Sequence, residues 1–135
     1  MNNENYLGNP NLKKTNVAQE FTKEQIEEYV KCSKDPVYFV EKYIKIVNLD
    51  EGFVNFNLYP FQEKMVKTFH KNRFSICKIP RQSGKSTTVC SYILWYSLFN
   101  ENVNCAILAN KGALARDLLA KIHTVSYTHL RAHET

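Results

Sequence analysis

The feature that most constrains this chain is a short loop between an apolar segment and an apolar helical pattern. Residues 74–79 have the composition of a buried strand, residues 86–99 that of a helix, and Ile79-Pro80-Arg81-Gln82-Ser83-Gly84-Lys85-Ser86-Thr87 joins them. In such loops, backbone N–H groups at a helix N-terminus bind phosphate oxygens, a Lys adds positive charge, and a Ser or Thr hydroxyl holds a metal ion. Gly84, Lys85 and Ser86 occupy these positions and predict a phosphate-binding loop.

The start of this loop departs from the usual pattern. A Gly normally stands five positions before the second Gly, where this chain has Ile79, and Pro80 removes one possible N–H donor. A Gly-Lys-Ser tripeptide is also common by chance, so the alternative is a solvated lysine at the start of a helix. The apolar segments on both sides favour phosphate binding over that alternative.

The order of predicted elements indicates the fold class. A second strand is predicted at Asn104–Ala109, and helical periodicity follows over 112–122. Strand, helix, strand and helix in succession predict a parallel sheet with right-handed crossovers. We therefore expect an α/β fold, in which residues 58–124 are the start of a truncated P-loop ATPase domain.

The region before this domain has the signals of helices. Residues 1–20 are rich in Asn and Lys and predict a mobile leader, whereas residues 21–57 predict an N-terminal helical segment. A capping box at Thr22 begins a helix that ends near Lys31, and Asp35-Pro36 begins a second that continues through Val47. An extended piece is predicted over 53–56, and a third helix from Pro60 to about His70.

The last eleven residues, 125–135, form a separate problem. They have no apolar periodicity and are expected to interrupt the preceding helix. They can be written in consecutive codons that match an adapter used in transposase-based DNA library preparation. We therefore expect this segment to be translated sequencing adapter, not native, and the natural reading frame to continue differently beyond about Thr124.

Cysteine usage and charge set broader bounds. Cys77, Cys90 and Cys105 lie in or beside apolar runs, and no Cys-x-x-Cys pair exists, which predicts reduced, buried thiols. The net charge of +5 suits a nucleic-acid partner and suits an ordinary basic surface equally well. No secretion signal or membrane span is visible in the sequence.

Three further side chains are candidates for nucleotide binding. Gln62 can pair with the N6 and N7 edge of adenine, and Tyr59 can stack on the base; the alternative is that Tyr59 packs and Gln62 is solvated. Arg81 can reach phosphate oxygens during hydrolysis, or can be a surface residue that pairs with an acid elsewhere.

Together these motifs resemble the large terminase subunit of tailed bacteriophages, in particular that of T4-like phages. The resemblance covers about residues 21–122 and is strongest over 59–62, 79–87 and 107–112. A loop of the form Arg-Gln-x-Gly-Lys-Ser/Thr without the leading Gly is a trait of that family. It implies a partial RecA-like P-loop NTPase core, a parallel sheet with flanking helices, preceded by the helical segment.

The resemblance also implies function. The full-length protein would be an ATPase that uses ATP and Mg²⁺ to move double-stranded DNA into the prohead, and also an endonuclease. Its expected partners are DNA, the portal protein, the small terminase subunit and other copies in a ring, in the host cytoplasm and without a membrane. The implied catalytic residues are Lys85 and Arg81, the metal ligand is Ser86, and the nucleotide-binding set is Tyr59, Gln62, Gln82, Ser83, Gly84, Lys85, Ser86 and Thr87.

The family's acidic motif, an apolar strand that ends in Asp and Glu, is missing after the second predicted strand, where only Asp117 and Glu134 are acidic. We therefore expect the chain itself not to hydrolyse ATP. A partial sheet of two or three parallel strands would also leave apolar faces uncovered, so we expect the chain to aggregate or to bind nucleotide poorly. Two alternatives stay open. One is a superfamily 2 helicase or restriction translocase, which shares the loop and the glutamine element, Asn57-Leu58-Tyr59-Pro60-Phe61-Gln62. The other is a non-enzymatic DNA-binding protein whose Lys85 contacts the phosphate backbone, with salt-dependent affinity.

Overall fold

A computed structural model describes residues 6–9, 14–16, 18 and 20–132, with side chains described as far as Ser126. Much of the predicted leader, and the end of the predicted adapter segment, therefore lie outside the described residues. After a short 3-10 turn at Tyr6–Gly8, the elements are α1 (Lys23–Lys34), α2 (Pro36–Tyr43), β1 (Lys45–Asn48), β2 (Gly52–Asn55), α3 (Pro60–Lys71), α4 (Lys85–Phe99) and α5 (Gly112–Ala132).

The predicted helix starts are confirmed. The Gln25 N–H donates to Thr22 Oγ1 at 3.2 Å, and the Thr22 N–H donates to Gln25 Oε1 at 3.0 Å, which is the expected capping box of α1. Asp35 caps α2 because its carboxylate accepts the N–H groups of Val37 and Tyr38. The third predicted helix is also confirmed as α3.

The second helix is shorter than predicted. It ends at Tyr43, and the next residues form β1, which pairs antiparallel with β2 so that Ile46 lies opposite Val54. The β-branched side chains in this stretch favour extended backbone, and the extended piece predicted over 53–56 supplies the partner strand. A turn that ends at Gly52, with φ of 75°, joins the two strands.

The predicted parallel sheet is wrong. In the described part of the chain the only sheet is the β1–β2 hairpin, and the fold is mostly helical rather than the expected α/β, partial RecA-like core. Residues 75–80 and 103–109 form no strand. Ile76 is 99% and Leu108 87% accessible, whereas Ile79, Val103 and Ile107 are half-buried. An isolated strand has neither ladder partners nor a covered face, so apolar composition alone does not form a sheet.

The same exposure corrects the cysteine prediction. Cys90 is buried as expected, but Cys77 and Cys105 lie on the two extended segments and are exposed. Cys32 on α1 is also buried. Predicted burial of these thiols therefore depended on strands that do not pair.

The core lies where α2 and the hairpin meet α4. α2, α3 and α5 all pack against α4. Trp95 is 3% exposed, and its indole N–H donates to the Cys32 carbonyl at 2.8 Å. The buried cluster consists of Cys32, Phe39, Val40, Ile44, Phe56, Leu94, Trp95 and Val125. This packing fixes α4, and with it the loop at its N-terminus.

α5 differs from expectation at its end. It begins at Gly112 as predicted, but it continues to Ala132 instead of being interrupted near Val125. No Gly or Pro follows Gly112, so no residue type in this stretch opposes continuation of the helix. Val125, the first residue of the predicted adapter segment, packs in the core. The adapter origin of the segment stays a prediction. None of the described helices has the length and apolar character needed to cross a membrane.

Candidate phosphate-binding site

The loop before α4 is a tight backbone turn. Gln82 and Gly84 both adopt left-handed conformations, with φ of 60° and 71°. Glycine adopts this conformation without strain, whereas a residue with a Cβ pays about 1 to 2 kcal/mol. The Ser83 hydroxyl donates to the Pro80 carbonyl at 2.7 Å and closes the turn. The predicted succession of loop and helix is therefore confirmed, although no strand precedes it.

The start of α4 has the donors that an anion needs. Gly84 is the N-cap and brings no side chain to accept the first N–H groups of the helix. Helix geometry leaves the N–H groups of the first turn without intrahelical acceptors, and the helix dipole places partial positive charge there. Thr88 makes the first helical bond, to the Gly84 carbonyl at 3.0 Å. The groups ahead of it, on Lys85, Ser86 and Thr87, are those expected to bind phosphate.

Two cationic side chains lie at this loop. Lys85 is exposed, and its ammonium donates to the Ile79 carbonyl at 3.4 Å, so it folds back over the loop. Arg81 is also exposed. Within the described ranges neither forms an ion pair with a carboxylate; the recorded pairs are Lys42 with Glu28 and Lys67 with Glu63. The acid-paired alternative for Arg81 therefore has no support among these residues. Ser86, the predicted metal ligand, is half-buried in the first turn of α4.

The structure brings the predicted glutamine element to the loop. Gln62 is 2% exposed, and its Nε2 donates to the Ser83 carbonyl at 3.1 Å. Tyr59 and Phe61 lie beside it with their rings nearly parallel, 7° apart in plane and 6.0 Å between centroids. Both rings are partly open to solvent. The alternative in which Gln62 is solvated is excluded, and the stacked rings stay accessible to a planar group.

A cavity of about 730 Å³ lies beside the loop. One wall is the loop with the first turns of α4, and another is the glutamine element. The opposite side comes from β1 and α5, so residues from four parts of the chain meet here. Predicted site residues in its lining are Tyr59, Gln62, Gln82, Ser83, Gly84 and Thr87. Lys85, Ser86 and Arg81 lie outside this lining, on the loop and helix start next to it.

Three charged residues of this cavity were missed by sequence reasoning. Lys45, Asp117 and Lys121 all line it. Lys45 belongs to the stretch that was predicted to be helical and instead forms β1. Asp117 and Lys121 reach the cavity only because α5 packs on α4 and β1, and no local pattern signals that packing.

No cluster of three or more His, Cys, Asp or Glu side chains that suits a metal ion occurs among the described residues. A magnesium ion at Ser86 would therefore take its other ligands from phosphate oxygens and water, and Mg²⁺ beside nucleotides commonly keeps several waters. No family model matches the chain.

Proposed function

We propose that this chain carries the ATP-binding loop of a viral DNA-packaging motor, the large subunit of a terminase. The observation that carries the proposal is the start of α4. The N-cap there is Gly84, no side chain accepts the N–H groups of the first turn, and Lys85 follows directly. The helix itself is held in place by the core. The sequence of the loop, with Arg81-Gln82 ahead of Gly84, favours a terminase over other ATPases. The full-length protein would act in the host cytoplasm with the portal protein, the small terminase subunit and other copies in a ring around double-stranded DNA.

In this proposal each residue of the loop contacts a different part of the triphosphate. The first-turn N–H groups of α4 hold phosphate oxygens, and Lys85 moves from the Ile79 carbonyl to the outer phosphates. The Ser86 hydroxyl would hold Mg²⁺, and the ion would neutralise part of the phosphate charge. Arg81 is exposed at the loop and would contact the terminal phosphate.

The cavity beside the loop would take the nucleoside. It shares Gln82, Gly84 and Thr87 with the loop, so a nucleotide that has its phosphates at α4 can extend into it. Tyr59 presents an exposed ring at its edge for stacking on the base. A cavity of this size is within the range typical of small-molecule sites.

We expect binding without turnover from the chain as it stands, because the partial parallel sheet that predicted poor binding does not form in the described residues. Hydrolysis by such motors requires an acid that orients water and holds the metal. Between Asn102 and Thr124 the only carboxylate is Asp117, on α5.

The affinity for Mg-ATP of two lysine variants tests the proposal. Lys85→Ala removes a charge-assisted contact and should weaken binding by about tenfold or more. The matched control is Lys78→Ala, which removes the same charge from the exposed segment just before the loop. It should change the affinity by less than about threefold. Equal losses in both variants would indicate attraction to general positive charge, as in a non-enzymatic DNA-binding protein, and would refute a phosphate loop.

A further inference from the structure

Among the described residues, Gln62 is the only buried polar residue of α3. The oxygen and the nitrogen of its side-chain amide each form a hydrogen bond. The Tyr59 N–H donates to Oε1 at 2.9 Å, and Nε2 donates to the Ser83 carbonyl at 3.1 Å. One bond caps the first turn of α3, and the other reaches across 21 positions of sequence to the loop. A single side chain therefore ties the start of α3 to the turn that precedes α4.

The contact with the loop is also close in space. A Cβ built on Gly84 would lie 2.6 Å from Gln62 Nε2, which is nearer than real side-chain contacts allow. The amide therefore lies directly against the backbone of Gly84, and a Cβ at this position would have to displace it. The positive φ of Gly84 separately favours glycine. A substitution of Gln62 should therefore alter the positions of the first N–H groups of α4.

We propose that Gln62 is a positioning residue for the phosphate loop, acting through the Ser83 carbonyl, and that it does not read the nucleotide base. Base reading requires an accessible amide edge, whereas this side chain is 2% exposed and already engaged at both ends. The role rests on the proposed function in so far as the loop binds phosphate. It implies that a base-free triphosphate depends on Gln62 as strongly as ATP does.

The chain offers a matched control. Gln25 occupies the same position in the first turn of α1 and accepts the Thr22 N–H at 3.0 Å, but it is exposed and remote from the loop. Gln62→Met and Gln25→Met each replace an amide by an apolar side chain of similar length. Both lose a helix-capping bond, and only Gln62→Met loses the bond to the loop.

The test combines hydrogen exchange in the free protein with binding of Mg-ATP, Mg-GTP and Mg-bound inorganic triphosphate. Relative to wild type, Gln62→Met should speed exchange of the Gly84–Thr87 amides and weaken all three ligands by a common factor of about three to ten. Gln25→Met should leave both readouts unchanged. Thermal melts of the two variants separate a local change at the loop from general unfolding.

Two results would overturn the role assigned to Gln62. One is unchanged exchange at Gly84–Thr87 in Gln62→Met. The other is a loss confined to ATP with GTP and triphosphate unaffected, because that pattern identifies a base reader. If wild type binds no triphosphate, the proposed function fails, while the exchange measurement still decides whether Gln62 positions the loop.

Discussion

The helical core and the two extended segments that flank α4 are both apolar, yet they differ completely in burial. Trp95 and Leu94 on α4 are almost inaccessible, whereas Ile76 before it and Leu108 after it are nearly fully exposed. A helix satisfies its backbone internally and needs only a surface to pack on, but a strand needs a neighbouring strand before it can bury anything. The contrast teaches that apolar composition predicts burial only where a partner is present.

The largest expected effect separates the two regions by stability. Trp95→Ala removes a buried ring and the bond to the Cys32 carbonyl, so it should lower the free energy of unfolding by about 3 to 5 kcal/mol. Ile76→Ala should change it by less than about 0.5 kcal/mol, since that side chain contacts solvent. Urea denaturation followed by far-UV circular dichroism measures both. A comparable loss in Ile76→Ala would show that the segment before the loop is packed.

Thiol reactivity sharpens the same comparison without mutation. Burial raises the pKa of Cys32 to about 11 and also raises that of Cys90, so both should react slowly with a maleimide. Cys77 and Cys105, which are exposed on the extended segments, should react at least about tenfold faster. Mass spectrometry assigns the labelled sites. Protection of Cys77 or Cys105 comparable to that of Cys32 would break the distinction.

A smaller effect on stability is expected from Glu28 on α1, which is hydrogen-bonded to side chains of α2. Glu28 Oε1 accepts hydrogen bonds from Lys42, Tyr43 and Tyr38, and these lower the pKa of Glu28 from 4.5 to about 2. Because its pKa is lower in the folded state, ionised Glu28 stabilises the fold above about pH 4.5, and this stability is lost as the pH falls towards 2.

Glu28→Gln should therefore lower the urea midpoint at neutral pH, and its difference from wild type should shrink as the pH falls from 4.5 towards 2. The control is Glu63→Gln, which breaks one exposed ion pair with Lys67 on α3 and should have little effect. A pH-independent difference for Glu28→Gln would contradict the assigned role of its ionised form.

Local signals in the sequence predicted the helix starts well. The capping box at Thr22, the Asp35 cap with its proline, and Pro60 each act within one turn, so their effect does not depend on distant residues. The turn into α4 was predictable for the same reason, since Gly84 serves a local backbone need.

Non-local structure was not predictable in this way. Residues predicted as the end of the second helix form β1 because they pair with β2, with Ile46 opposite Val54. The parallel sheet does not form in the described residues because its predicted strands pair with no other strand. The candidate loop could be identified from its motif, but the bond from Gln62 to Ser83 and the place of Lys121 at the cavity depend on helix packing. The spacing of residues in the sequence does not predict those contacts.

The most direct test of the central claim is residue-resolved nuclear magnetic resonance of the labelled chain titrated with Mg-ATP. If the start of α4 binds phosphate, the amide signals of Gly84, Lys85, Ser86 and Thr87 should shift the most. Lys85→Ala should then need about tenfold more ATP to reach the same shifts, while Lys78→Ala should titrate close to wild type. Shifts confined to other parts of the chain, or none at any ATP concentration that the protein tolerates, would contradict the account.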